Sequence, residues 1–96
     1  MITNNEIKYV KSLQQRKFRQ KYNKFVAEGD KIAQEIIEYS AKSIDAIYLT
    51  SDWMDVNSPV LQKVANVVEV VDHRQMAKIS GLKSPSGVLI VLEMKS

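Results

Sequence analysis

The sequence predicts an α/β fold in which helices cover both faces of a four-stranded sheet, giving a three-layer α/β/α sandwich. After residue 23, short runs rich in β-branched residues alternate with segments whose apolar residues recur every three or four positions. This alternation is typical of α/β sheets and not of helical bundles or barrels. The last run, residues 88–92, is apolar at every position, as expected for a strand that is covered on both faces.

The first 23 residues are predicted to form a helical, basic N-terminal arm. Asn4 or Asn5 can act as the N-cap of a first helix, which carries apolar residues at three-residue steps up to Leu13. The apolar stripe does not continue beyond Leu13 on a straight helix. We therefore expect a break near residues 14–15 and a second helical piece that ends near Tyr22.

Four strands and three intervening helices are predicted after this arm. The strands cover residues 24–28, 44–50, 67–71 and 88–93. Asp30 is the predicted N-cap of a helix that runs to Tyr39 and carries Ile32, Ala33, Ile36 and Ile37 along one side. We therefore place the α/β domain at residues 24–96, as one compact unit behind the arm at residues 1–23.

The two later helices have clear start signals. Ser58-Pro59 follows a polar stretch, residues 51–57, that we interpret as a loop; serine is a good N-cap, and proline at the first helical position loses no hydrogen bond. Asp72 can cap the next helix, with Gln75 three residues later completing a capping box. Ser80-Gly81 ends that helix.

Charge is distributed unevenly along the chain. Residues 1–24 contain seven bases and one acid, a net charge of +6, whereas residues 25–96 contain seven bases and ten acids, a net charge of −3. All seven bases of the first segment fall between Lys8 and Lys24, with no acid among them. A basic segment on a mildly acidic body indicates a polyanionic partner such as nucleic acid, although a solvated helix face would give the same pattern.

The inventory of reactive side chains argues against catalysis by these residues alone. The chain has no cysteine and a single histidine, His73, which we interpret as a surface residue beside a helix cap. Three glycines at separated positions cannot form a phosphate-binding loop, so we expect no cofactor or metal site. No apolar run could span a membrane, and the absence of cysteine suits a cytoplasmic protein.

Two further features have a structural and a functional interpretation. Glu28 and Asp30 flank Gly29, where carboxylates serve as caps more often than as an acid/base pair. Tyr9 and Tyr22 lie in or beside the basic run, where an aromatic face could stack on an unpaired base. A tyrosine that packs its ring on the core and keeps its hydroxyl in water is the commoner case.

Two segments resemble a known family. The segment RKFRQKYNKFVAEGDKIAQEII, with Phe25, Glu28 and Gly29 after an Arg/Lys-rich stretch, resembles the start of the SpoU/TrmH family of RNA 2′-O-ribose methyltransferases. The segment ISGLKSPSGVLIVLEM is similar to that family's Ser/Thr-x-x-Pro-x-Gly turn before the last strand. The resemblance extends from about Asn5 to Met94, and it implies the N-terminal substrate-binding domain of such an enzyme.

The resemblance also implies a fold and a division of labour. It implies a mixed sheet whose last strand is antiparallel to the rest, similar to kink-turn-binding ribosomal proteins. In the full-length protein it implies a C-terminal methyltransferase domain that binds S-adenosylmethionine and through which the protein dimerises. The chain ends at Ser96, before any such domain, so no catalytic or cofactor-binding residue is carried over. We expect this chain alone to be non-catalytic, as part of an S-adenosylmethionine-dependent RNA 2′-O-methyltransferase.

The expected role is to bind an RNA substrate, either rRNA or tRNA. The residues expected to contact RNA are all basic: Arg16, Lys17, Arg19, Lys21 and Lys24, with Lys31 and Lys83 at the margin. One alternative is a stand-alone kink-turn RNA-binding protein, but those proteins resemble one another in a Gly-x-Asn-Glu motif where this chain has Glu28-Gly29-Asp30-Lys31. Another is a protein-interaction domain whose basic run is merely solvated.

Overall fold

The computed structural model describes residues 2–94, so the outermost residues of the predicted arm and domain lie outside the described part. The helices are α1 (Asn4–Ser12), α2 (Arg16–Tyr22), α3 (Asp30–Tyr39), α4 (Ser51–Leu61) and α5 (His73–Ile79). The strands are β1 (Lys24–Glu28), β2 (Ile44–Leu49), β3 (Val68–Val70) and β4 (Val88–Glu93). Short 3₁₀ helices at Ala41–Ser43 and Gln62–Val67 precede β2 and β3. No helix within residues 2–94 is long and apolar enough to cross a membrane.

The four strands form one mixed sheet in the order β1-β4-β2-β3. The last strand, β4, runs antiparallel to both of its neighbours, and β2 runs parallel to β3. This arrangement confirms the mixed sheet with an antiparallel last strand. The pairing of β2 with β4 is interrupted by a register shift between Ile44 and Ala46, which sets Asp45 at the beginning of β2 toward solvent.

Each face of the sheet is covered by its own pair of helices. On one face, α3 and α4 pack on the inward side chains of β2 and β4, such as Ile47 and Ile90. On the other face, α1 and α5 pack on the alternate residues, such as Tyr48 and Leu89. All five residues from Val88 to Leu92 are buried, because β4 lies between both layers. The predicted three-layer α/β/α architecture is therefore confirmed.

Two predicted helix caps are wrong. The N-cap of α1 is Thr3, whose hydroxyl accepts a hydrogen bond from the Glu6 backbone N–H, and not Asn4 or Asn5. Asp30 does not cap α3; it is the first helical residue, and Gly29 holds the cap position with φ of 126°. That left-handed φ is open to glycine at low cost, so the chain can turn sharply from β1 into α3.

The predicted loop at residues 51–57 is also wrong, because these residues form the first half of α4. Thr50 caps this helix by accepting a hydrogen bond from the Trp53 N–H at 3.4 Å. Helical geometry breaks at Asn57 (φ −115°, ψ 16°), and Ser58-Pro59 begins the second half after this kink. The serine–proline start signal therefore marks a kink within a longer helix. By contrast, the capping box between Asp72 and Gln75 is confirmed.

Candidate nucleic-acid interface

Helix α2 is a short element tied to its neighbours from its middle and its C-terminal end. From the middle of the helix, the Arg19 Nη1 donates a 3.0 Å hydrogen bond to the Leu13 carbonyl at the end of α1. At its end, Asn23 adopts the left-handed conformation (φ 57°), and its side-chain amide donates to the Met94 carbonyl. Asparagine is one of the few residues that enter this conformation readily, so it suits the turn from α2 into β1.

None of the α2 residues is buried, and three of its four basic side chains are exposed. Arg16, Lys17 and Lys21 are exposed, and within residues 2–94 no carboxylate forms an ion pair with them. The helix contains no acidic residue of its own. The predicted concentration of positive charge therefore has the form of a solvent-facing cationic surface, which we call the α2 surface (Arg16, Lys17 and Lys21).

Lys24 and Arg19 differ from the α2 surface because each already has protein partners. The Lys24 ammonium lies 3.3 Å from carboxylate oxygens of both Asp45 and Glu93. Burial alone would lower the pKa of Lys24, but hydrogen bonds to these two carboxylates outweigh burial and raise it. Asp45 and Glu93 come close only through the strand register. No local sequence pattern therefore indicates that the charge of Lys24 is paired. Arg19 also has a protein partner, the Leu13 carbonyl.

A hydrogen-bonded cluster joins three chain segments at the end of β1; we call it the Glu28 cluster (Gln14, Glu28, Ser80 and Gly81). The Glu28 carboxylate accepts hydrogen bonds from the Ser80 hydroxyl at 2.6 Å and the Gly81 N–H at 2.8 Å. It also accepts a longer one, 3.4 Å, from the Gln14 amide, which donates in addition to the Ile79 carbonyl. A Cβ on Gly81 would lie 2.4 Å from the Gln14 oxygen, so a side chain at this position would displace the Gln14 amide.

The Glu28 cluster brings together the segments that carry the remaining predicted cations. Gln14 precedes Arg16 by two residues, and Glu28 precedes Lys31 by three. Gly81 likewise precedes Lys83 by two residues. Lys31, in the first turn of α3, and Lys83, in the loop before β4, are both exposed. The cluster thus links the start of the α2 surface to the two segments that carry Lys31 and Lys83.

The two carboxylates around Gly29 are used for structure, although neither caps a helix as expected. Glu28 holds the cluster described above. Asp30 accepts hydrogen bonds from the Trp53 indole at 2.8 Å and from the Gln34 amide at 3.2 Å, which ties α3 to α4. His73 is exposed, as expected for a surface histidine beside the cap of α5, and its Nε2 lies 3.4 Å from an Asp52 carboxylate oxygen. Among residues 2–94, no group of three or more potential metal ligands is brought together.

An aromatic group beside the α2 surface was only partly anticipated from the sequence. Tyr22 forms a T-shaped pair with Tyr9 at a centroid distance of 5.1 Å, and its ring lies nearly parallel to that of Phe18 at a centroid distance of 6.3 Å. Lys17 lies over the Phe18 ring and Lys21 over the Tyr22 ring, at 5.0 and 5.3 Å from the centroids. The signal for Phe18 was present, because the pair Lys-Phe at 17–18 repeats as Lys-Tyr at 21–22, one helical turn later.

Several solved structures share this fold. A protein from Porphyromonas gingivalis, described as an RNA methyltransferase of the TrmH family, matches all of this chain with 24% identity and a TM-score of 0.73 over 37% of its own length. An rRNA methyltransferase from Sinorhizobium meliloti matches 99% of the chain with 20% identity and a TM-score of 0.72 over 36% of its length. The SpoU methyltransferase AviRb from Streptomyces viridochromogenes, in complex with AdoMet, matches 98% of the chain with 13% identity and a TM-score of 0.64 over 37% of its length.

This chain therefore spans little more than a third of the length of these methyltransferases. Comparison with the curated proteins gave no match. The family model of the MRM3-like substrate binding domain, however, matches residues 4–90, which is nearly the whole chain. The resemblance to the substrate-binding domain of the SpoU/TrmH RNA methyltransferases is thereby confirmed, and the chain belongs to the MRM3-like substrate binding domain family.

Proposed function

We propose that this chain binds the RNA substrate of an RNA 2′-O-ribose methyltransferase and takes no part in the chemical step itself. The observation that carries this proposal is the α2 surface, three exposed cations without carboxylate partners in a chain that belongs to a substrate-binding domain family. Lys31 and Lys83 add further contacts to the RNA, since the Glu28 cluster ties their chain segments to the start of α2. Arg19 and Lys24 contribute less, because their side chains are already bonded within the protein.

Phosphate contacts explain how such a surface holds RNA. Lysine and arginine that neutralise phosphates release condensed counterions, which gives affinity that does not depend on sequence and that weakens steeply with salt. Contacts of this kind position an RNA without reading it. Of the two RNA classes expected from the sequence, we favour rRNA, because a structure with the same fold is that of an rRNA methyltransferase.

We further propose that S-adenosylmethionine binds outside these residues. The methyltransferases of the same fold are nearly three times as long as the matched segment, and two of their structures contain AdoMet. Titration calorimetry of the 96-residue chain with S-adenosylmethionine should give no saturable heat. Saturable binding to this chain would contradict a division between substrate binding and cofactor binding.

The test of RNA binding is a triple substitution on the α2 surface, Arg16→Gln with Lys17→Gln and Lys21→Gln. RNA affinity is measured across a salt series for the variant and the wild type. If three phosphate contacts form on single-stranded RNA, their removal should reduce the slope of log affinity against log salt by roughly 2. Circular dichroism and an unfolding curve confirm that the variant is folded, as expected for exposed positions.

The matched control removes the same net charge from three other elements, by Lys42→Gln with Lys63→Gln and Arg74→Gln. These side chains are also exposed, and they lie on the two 3₁₀ helices and on α5. The control should keep most of the wild-type affinity and slope. Equal losses in both triple variants would mean that binding follows net charge, and unchanged binding in the α2 variant would mean that its cations are only solvated.

A further inference from the structure

We propose that the aromatic group at α2, formed by Tyr22 with Tyr9 and Phe18, is a stacking site for an unpaired RNA base. The inference rests on the proposed function, and it names the substrate class: the RNA that this chain holds has a single-stranded or looped nucleotide at α2. Phosphate contacts alone would accept single strands and duplexes alike, whereas a base can reach an aromatic face only when it is unpaired.

The Tyr22 ring lies between two aromatic neighbours. It forms a T-shaped pair with Tyr9 at an interplanar angle of 78°, and Phe18 lies nearly parallel to it at 15°. Tyr9 and Phe18 are partly buried, whereas Tyr22 is 39% exposed. The ring is thus braced by two neighbours and still open to solvent. A rigid, exposed aromatic surface is what base stacking requires, because a fixed ring loses little conformational entropy on binding.

Tyr22 differs from Tyr48, a tyrosine that has a purely structural role. Tyr48 is buried, and its hydroxyl donates a 2.9 Å hydrogen bond to the Glu6 carboxylate. Tyr22 makes no side-chain hydrogen bond within residues 2–94, and its ring does not belong to either buried core cluster. Core packing therefore does not account for this side chain.

Two lysines of α2 lie over the rings of this aromatic group. The Lys17 ammonium lies 5.0 Å from the Phe18 centroid, and that of Lys21 lies 5.3 Å from the Tyr22 centroid. A cation–π contact at an exposed site is weak compared with a charge-assisted hydrogen bond, so a phosphate can draw the ammonium away from the ring. The same nucleotide then supplies a phosphate for the lysine and a base for the uncovered ring.

The experiment compares two RNAs of the same length, an oligoadenylate of about ten nucleotides and a duplex, each with wild type and with Tyr22→Leu. Stacking contributes about 1–3 kcal/mol per base, so Tyr22→Leu should weaken binding of the single strand by about 5- to 150-fold. Binding of the duplex should change much less. Tyr22→Phe retains the ring and should bind as the wild type does.

The matched control is Tyr39→Leu, since Tyr39 is 80% exposed on α3, which covers the opposite face of the sheet. This variant should bind both RNAs like the wild type. A measurement that needs no variant uses wild-type protein and an oligomer of the same length that lacks its bases. The wild type should bind that backbone as weakly as Tyr22→Leu binds oligoadenylate.

The outcomes separate this inference from the proposed function. If the wild type binds neither RNA, the proposed function itself fails. If wild type binds the base-free backbone as well as oligoadenylate, or if Tyr22→Leu loses single-strand and duplex affinity equally, the stacking site is wrong while the α2 surface stands. A folding defect in Tyr22→Leu leaves the base-free comparison decisive.

Discussion

Glu28 shows how one side chain can fix the relation between distant segments. Its carboxylate accepts hydrogen bonds from residues 14, 80 and 81, which belong to the α1–α2 connection and to the loop after α5. Hydrogen bonds to a charged acceptor are about twice as strong as neutral ones. A glutamate before Gly29 is therefore explained by the donors around it, and not by an acid/base role in catalysis.

Glu28→Gln should destabilise the protein by about 1–3 kcal/mol, because a neutral amide accepts more weakly than a carboxylate and offers one oxygen, whereas the carboxylate uses one oxygen for the Ser80 hydroxyl and the other for the Gly81 N–H. The measurement is the midpoint of urea unfolding. The matched control is Glu35→Gln on the exposed side of α3, where we expect a change within about 0.5 kcal/mol. Equal stability of the two variants would mean that the Glu28 cluster contributes nothing to folding.

Tyr48 leads to a prediction for alkaline pH. Burial, and then the hydrogen bond to the Glu6 carboxylate, raise the pKa of Tyr48 above its ordinary value of 10. The folded state thus holds this proton more tightly than the unfolded chain does. The resulting stabilisation is fully present below pH 10 and is lost as pH rises from 10 toward the raised pKa.

Between pH 8 and 11 the wild type should therefore lose more stability than Tyr48→Phe, on the order of 1 kcal/mol, because Tyr48→Phe has no proton to release there. The measurement is urea unfolding at the two pH values. Tyr39→Phe, which changes a ring that is 80% exposed, serves as the control and should follow the wild type. Parallel loss in wild type and Tyr48→Phe would show that Tyr48 does not carry this dependence.

At the scale of elements, the strands were predictable from the sequence and the first half of α4 was not. The strands were predictable because runs of β-branched and apolar residues define them, and β1 has the predicted bounds. The first half of α4 was missed because its residues are mostly polar and exposed, with only Trp53 and Asn57 buried. Its cap, Thr50, was assigned to the preceding strand. Ser58-Pro59 is a strong helix-start signal, but here it lies inside a helix that begins earlier and continues through a kink.

The candidate site was likewise predictable only where its residues are neighbours in sequence. The cations of α2 were found because they are consecutive in sequence. The partners of Lys24 were not found, because Asp45 and Glu93 reach it only through strand register. The Glu28 cluster depends on contacts across 53 and 14 residues of sequence, and no local pattern reports these.

The kink of α4 is stabilised by Asn57, which is 8% exposed. Its amide donates to the Trp53 carbonyl at 2.9 Å, and its oxygen accepts from Gln34 at 3.0 Å, so it joins both halves of α4 to α3. Asn57→Ala should cost about 1–3 kcal/mol, because the Trp53 carbonyl and the Gln34 amide each lose a hydrogen-bond partner. Thermal unfolding measures this loss. Val56→Ala, at a neighbouring position that is 81% exposed, should unfold like the wild type.

At the scale of the whole molecule, the first helix belongs to the packing of the sheet. Val10 and Leu13 are fully buried, and with Ile7 they contact the same cluster as Met76 of α5. Without α1, that face of β4 would be covered by α5 alone. The basic α2 is attached to the same helix through the Arg19–Leu13 hydrogen bond, so the packing of α1 also positions the α2 surface.

A chain that begins at Lys24 should therefore fail to fold stably, although residues 24–96 contain every strand. Each buried aliphatic side chain contributes about 1.5–3 kcal/mol, so the loss of Ile7, Val10 and Leu13 removes about 5–9 kcal/mol. That loss is comparable with the total stability of a typical domain, about 5–15 kcal/mol. Circular dichroism and urea unfolding of the truncated chain measure it.

The control is Lys8→Gln with Lys11→Gln in the full chain, which removes two exposed charges from α1, leaves its apolar face intact and should unfold like the wild type. Cooperative unfolding of the truncated chain at the wild-type midpoint would instead mean that residues 1–23 are a separable arm.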